Sequence, residues 1–457
     1  MTSLLREITH NYIWIGIILF AVLFTYCENS ISYYNYVNVL LFVTYSIILW
    51  CTLGKNKEYY SYGRLFLTVF LYSIVVVGIY LEMSCYYTGD TYYWDYTDPY
   101  LYSYIDRNMV DKDIPLYEQV DYIASTYDWG PSDWGASISQ TLFLRLIPSR
   151  YFLFFAQTVI GTVGALLMFS TCKKFMQIEH AYMAALSYAI ASFNIYYYAS
   201  FRKEIFMVFI VIASFWSFYQ YLERKSKVYF ALSILIAITM TFFRPAVMVL
   251  MLAGISSYYI GKKINKNNAR PILFLLFIVL SLFFSILYGI LSSFSETLAN
   301  SENYVDTSVF GVAVSAIGVM IGPFPQLLIL DSIKMSQLPL YGTGLLFKFF
   351  LFLAFWNGFA SCMKEKEEKV FPLYFFTLLE MLALAVWNDG LELRKAMPHI
   401  STFYMAAFWF ISKYDERAAK EEKMPGLFPL PNIKPSIIMF GTTLFIFLSS
   451  FVWNTMR

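Results

Sequence analysis

The chain has 457 residues, of which 59% are hydrophobic and 14% charged, with a mean hydropathy of +0.55 and a formal net charge of +2. A soluble protein carries about 25% charged residues. So few charges cannot cover a water-facing surface, so the composition excludes a string of soluble domains and leaves an integral membrane protein that spans many times. The balanced charge excludes a nucleic-acid binder, which needs a strong basic excess.

Histidine is scarce. His10, His180 and His399 are the full set, which argues against zinc chemistry. No Gly-x-Ser-x-Gly, Walker-type loop or Gly-x-Gly-x-x-Gly occurs, so serine hydrolases, ATPases and dinucleotide enzymes lose support. The five cysteines show no CxxC. Cys27 and Cys85 fall on one face, where free thiols are expected over a disulfide.

A spanning helix needs about 20 apolar residues. Read in chain order, spans are expected near 11–27, 34–53, 65–83, 151–170, 181–199, 205–222, 229–243, 246–260, 271–293, 342–361, 370–388, 399–412 and 435–453. The reading is therefore an all-α, polytopic bundle of about thirteen spans forming one integral membrane domain over 1–457. The first span lacks a small-residue cleavage site and is read as retained.

Basic loops orient the bundle. Lys55, Lys57, Arg64, Lys173, Lys174, Arg224, Lys225, Lys227, Lys262, Lys263, Lys266 and Arg270 belong in the cytoplasm, and so does the N-terminus. Segment 308–341 is interrupted by Gly322-Pro-Phe-Pro325 and is read as re-entrant. That keeps Lys364, Lys366, Lys369 and the five basic residues from Lys413 to Lys434 inside. Broken backbone at membrane depth is tolerated where protein or a wet cavity covers it.

The outer face then holds a large loop, 84–150, an extracytoplasmic subdomain with ten acidic and four basic residues. Its Tyr and Trp content suits stacking on sugar rings or anchoring at the interface. The loop opens with Gly89-Asp90, and Asp95 and Asp98 follow. Asp90 stands nearest the membrane, where a carboxylate can serve as general base on a sugar hydroxyl or hold a divalent cation. Asp111 and Asp113 form a D-x-D in a hydrophilic stretch and read as solvated.

Three basic elements break the inside bias. One is Ser200-Phe-Arg202-Lys203-Glu204. Another is Phe242-Phe243-Arg244-Pro245, in which Arg244 is the lone charge between Val228 and Tyr259. The third is Leu391-Glu392-Leu393-Arg394-Lys395, followed by His399. A lone arginine at membrane depth marks a functional candidate. Guanidinium forks match phosphate oxygens two at a time, so the clustered cations suit a lipid-linked phosphate or diphosphate. Within the spans, Lys348 and Glu380 lie at similar depth and are expected to form an ion pair. A proton relay is the sharper reading of the same two residues.

An Asp opening a large outer loop, an Arg-Lys-Glu element and a Phe-Arg-Pro element on later spans together resemble bacterial O-antigen and capsular polysaccharide polymerases, and the wider C-type membrane glycosyltransferases. The resemblance covers about residues 65–400. It implies transfer of a glycan from an undecaprenyl-linked donor at the outer leaflet of the bacterial cytoplasmic membrane. It implies outer-face arginines on the diphosphate, without a required metal, and in the C-type enzymes a first-loop Asp as base or metal ligand. Arg202, Arg244 and Arg394, assisted by Lys203 and Lys395, are accordingly expected to hold the diphosphate, with Asp90 or Glu204 as base. No cofactor is expected, although a divalent cation at Asp90 stays open. The expected partners are a polyprenyl-diphosphate-linked glycan, membrane lipid and other polysaccharide-assembly membrane proteins, with no nucleic acid. A lipid-linked glycan flippase and a glycan ligase are the rival readings.

Overall fold

The computed structural model describes residues 3–26, 33–88, 115–118, 121, 134–199, 202–262, 338–386, 393–420 and 441. Among them every regular element is helical. The helices are α1 (Leu4–Tyr26), α2 (Tyr33–Thr52), α3 (Tyr62–Thr88), α4 (Trp134–Leu146), α5 (Arg150–Cys172), α6 (Ile178–Ala189), α7 (Ser192–Tyr198), α8 (Glu204–Arg224), α9 (Lys227–Thr239), α10 (Pro245–Gly261), α11 (Leu338–Glu365), α12 (Phe371–Val386) and α13 (Leu393–Ala419). Four are long and apolar enough to cross a membrane, over Tyr62–Glu82, Tyr151–Cys172, Glu204–Arg224 and Gly344–Glu365. Shorter apolar stretches lie in α2, α9, α10 and α12. The protein is an all-α, polytopic membrane bundle.

Among the described residues, α13 is its axis. Residues 396–412 of α13 are buried without a break, and α13 packs against α11, α12, α6 and α8. The helix runs through Pro398, whose missing N–H leaves the Arg394 carbonyl without its helical donor.

The span expected over 181–199 is instead two helices, broken at Ile190–Ala191. Unpaired backbone is costly where water is excluded, and side chains repair the break. The Asn194 amide donates to the Tyr188 carbonyl at 2.5 Å, and the Tyr198 hydroxyl to that of Ala189 at 3.4 Å. Ser192 Oγ accepts the Gly344 N–H at 2.9 Å. Gly344 has no room for more: an added Cβ would lie 2.7 Å from that of Ala191. The break thus doubles as the seat for α11.

One end of the bundle gathers the short polar connections. Asp415 caps α1 through the Leu4 N–H at 2.6 Å and meets His180 Nε2 at 2.9 Å. Glu179 accepts the Gly54 N–H at 2.8 Å. Lys174 pairs with Glu223, Lys413 with Glu367 and Arg417 with Glu365, all within 2.6 Å. Tyr219 donates to the Lys369 carbonyl at 2.5 Å. Lys174, Lys369 and Lys413 therefore share an end. Arg202, Arg244 and Arg394 stand at the helix ends opposite. We expect cysteines placed at positions 55, 174 and 366 to label from one side of the membrane and one at position 202 only from the other.

Asp415 is nearly buried and bridges α1, α6 and α13. Removing one partner of a buried charged pair costs about 3–5 kcal/mol. Asp415→Ala is therefore expected to lower the thermal midpoint of the detergent-purified protein by several degrees, read by tryptophan fluorescence.

Most of the expected outer loop 84–150 lies outside the described residues, and two helices fall within its bounds. α3 runs on to Thr88, and α4 occupies 134–146. Asp90, Asp95, Asp98, Asp111, Asp113, Cys27, the span 271–293, all but residue 441 of the span 435–453 and nearly all of 308–341 lie outside the described residues, while Cys85 falls in the last turns of α3.

Candidate functional site at the end opposite the polar connections

Two corners of the bundle meet here. The first is the entry to α8. Glu204 sits in the first turn, where a carboxylate complements the exposed N–H groups and the helix dipole. It is fully buried, and Arg202 is nearly so. The Arg202 guanidinium lies 5.9 Å from the centre of the Tyr196 ring, within reach of a cation–π attraction.

The second corner joins α9 to α10. A 3-10 turn, Met240–Phe242, ends α9, and Pro245 opens α10 at the position where its missing N–H is harmless. A residue before proline is pushed to extended backbone, and Arg244 adopts φ −162, ψ 95. The proline thus turns the arginine out of the helix.

The corners are bound to each other. Lys203 Nζ donates to the Phe243 carbonyl at 3.3 Å. The Phe206 and Phe243 rings stack at 6.1 Å, and Phe143 of α4 stacks on Phe206 at 6.4 Å. Gly135 lets α4 approach: a Cβ there would come within 2.5 Å of the Phe243 ring. Arg202, Lys203, Glu204 and Arg244 are therefore neighbours, although about 40 residues of chain separate the two elements.

A third element enters through α12 and α13. Glu380 and His399 are both buried, with His399 Nδ1 3.8 Å from Glu380 Oε2. That separation is too long for a hydrogen bond. Neither carboxylate oxygen and neither ring nitrogen has a hydrogen-bond partner. Arg244 acts electrostatically on Glu380, and Lys348 on His399. Lys348 itself lies over the Phe403 ring at 5.2 Å. The expected Lys348–Glu380 pair is thus replaced by a His399–Glu380 pair. α13 runs between α11 and α12 and presents His399 to the carboxylate, which sequence separation did not reveal. Arg394 and Lys395 belong to the first turn of the same α13.

Among the described residues this end holds the basic side chains Arg202, Lys203, Arg244 and Lys348 and the carboxylates Glu204 and Glu380. Guanidinium forks set at this depth suit an anion with several oxygens. Among the described residues no three His, Cys, Asp or Glu side chains gather as a metal site, and Asp90 lies outside them. A separate apolar cleft of about 450 Å³ opens between α2 and α3, lined by Leu40, Thr44, Leu71, Tyr72, Val75 and Ile79 among others. With no charged residue in its wall it suits a lipid chain rather than a headgroup.

Residues 134–288 match the family model described as dolichyl-phosphate-mannose-protein mannosyltransferase. The matched stretch opens with the first residue of α4 and contains Arg202, Lys203, Glu204 and Arg244, but neither Asp90 nor Arg394. No curated protein matches the chain at a significant level. On a multi-pass helical fold, this match over about a third of the chain supports a C-type membrane glycosyltransferase that uses a lipid-linked sugar donor.

Proposed function

We propose that the protein transfers a polyprenyl-diphosphate-linked oligosaccharide onto a second glycan at the outer leaflet of a bacterial cytoplasmic membrane, in surface polysaccharide assembly. The carrying observation is the junction at which Lys203 bonds the Phe243 carbonyl and so brings Arg202 and Glu204 beside Arg244. Arg202 and Arg244 hold the diphosphate, with Lys203 beside them and Arg394 and Lys395 from α13 completing the cationic rim. The acceptor hydroxyl oxygen attacks the anomeric carbon. The bond from that carbon to the diphosphate oxygen breaks, and polyprenyl diphosphate leaves with the electron pair. The hydroxyl proton passes to Glu204 or Asp90. Charge develops on the leaving diphosphate, so prepositioned guanidinium groups are the main source of rate.

The matched family favours a second reading, in which the donor is a polyprenyl-monophosphate-linked single sugar. Purified protein in nanodiscs, supplied with either donor class and an acceptor glycan, separates the two. Products lengthened by whole oligosaccharide blocks on a gel support the proposal. Products lengthened by one sugar, from the monophosphate donor alone, support the second reading. Transbilayer movement of the lipid-linked donor without glycosidic bond formation would point to a flippase instead.

A further inference from the structure

α4 has inverted polarity. It exposes Leu142 and Leu146, with Ile147 just after it, and buries Ser137, Gln140 and Thr141. A helix at the rim of a membrane protein shows its apolar side to lipid and turns its polar side inward, where polar groups need partners. Against that inward side lies α5, which carries Gln157 beside Thr158 and Thr162, whose hydroxyls are both bonded to helix carbonyls. Gln157 is fully buried, and both ends of its amide lack a hydrogen-bond partner. The Ser137 hydroxyl and the Trp134 indole N–H lack one too. Buried groups of this kind cost free energy that an apolar residue would not.

The register places these groups beside the cationic corner. α4 and α5 form a hairpin in which Phe143 meets Phe152, and about one turn further along each arm come Gln140 and Gln157. α5 and α8 run parallel, with Gly164 facing Phe209 and Ser170 accepting the Trp216 N–H at 3.1 Å. The same interval brings Gln157 level with Arg202 and Lys203. The Phe143–Phe206 contact closes the triangle between α4 and α8.

We propose that Gln157 and Ser137 form the subsite for the first sugar ring of the donor, the ring joined to the diphosphate, a proposal that rests on the donor chemistry set out above. A carboxamide offers an acceptor oxygen and two N–H donors. That set matches a pair of neighbouring sugar hydroxyls at both its ends, whereas a phosphate would use only its N–H donors and an isoprenoid chain neither. α4 covers the subsite in this structure, so a ring enters as α4 yields.

The test compares binding of undecaprenyl diphosphate with binding of undecaprenyl-diphosphate-linked glucose, galactose, N-acetylglucosamine and N-acetylgalactosamine, on nanodisc-embedded wild type, Gln157→Leu and Ser137→Ala. Wild type is expected to bind at least one of the sugar-bearing lipids about tenfold tighter than the bare diphosphate. Gln157→Leu should lose that gain, keep its affinity for the bare lipid, and melt no lower than wild type, because an unpartnered amide has been replaced by an apolar group. Ser137→Ala should lose part of the gain. Retention of the full gain in Gln157→Leu, or a lower melting point with preference intact, overturns the subsite while leaving the proposed function standing. A wild type that binds the bare diphosphate but gains nothing from any sugar also overturns it. Failure to bind any of the lipids sinks the donor reading itself, and this subsite with it.

Discussion

Arg244→Lys is expected to reduce glycan transfer by about 10²–10³-fold with protein level and melting temperature unchanged, the range seen when one preorganised charge-stabilising donor is removed from an active site. The charge stays, but the planar fork is lost, and an ammonium engages one oxygen where a guanidinium engages two. Proline-directed extended backbone at Arg244 and the Lys203 bond to the neighbouring carbonyl hold the corner in place, so a shorter point charge cannot be re-aimed by a local shift. The assay is purified protein with lipid-linked oligosaccharide, read as product length on a gel. Full activity of the lysine variant would remove the arginine mechanism. Activity abolished by a chelator and restored by manganese would favour a metal at Asp90 in its place.

Glu380→Ala is expected to destabilise the protein by about 3–5 kcal/mol, measured as loss of the folded fraction on heating in detergent. The carboxylate is the acidic member of a buried contact that holds His399 at 3.8 Å. Its removal leaves His399 without the carboxylate it packs against and opens a void in the buried contact between α12 and α13. The double variant Glu380→Leu with His399→Leu should recover much of the loss, since apolar replacement of a buried pair is often neutral or stabilising. Single variants that melt like wild type yet lack activity would show that Glu380 and His399 move a proton in the reaction instead of holding the fold.

Much of the architecture was legible in the chain alone. An apolar content of 59% with 14% charge admits only a membrane protein, and the runs that became α3, α5, α8 and α11 announce themselves by length. Arg244 was legible for the same reason: a charge stands out in an apolar run because its burial is costly. Where that cost is met by partners distant in sequence, the chain gave no sign of them. His399 looked like a flank of the Arg394 element, and only the passage of α13 between α11 and α12 brings it to Glu380. The break at Ile190–Ala191 is invisible in an apolar run without glycine or proline, because Asn194 and Tyr198 mend it through side chains. α4 was hidden in a long loop because its polarity is inverted, and Gln157 passed as one uncharged residue in a span. Local patterning determined that helices cross the membrane and which charges are out of place there. Which of those charges come together depends on helix packing, a non-local property set by the fit of glycines such as Gly135 and Gly344 against side chains from other helices.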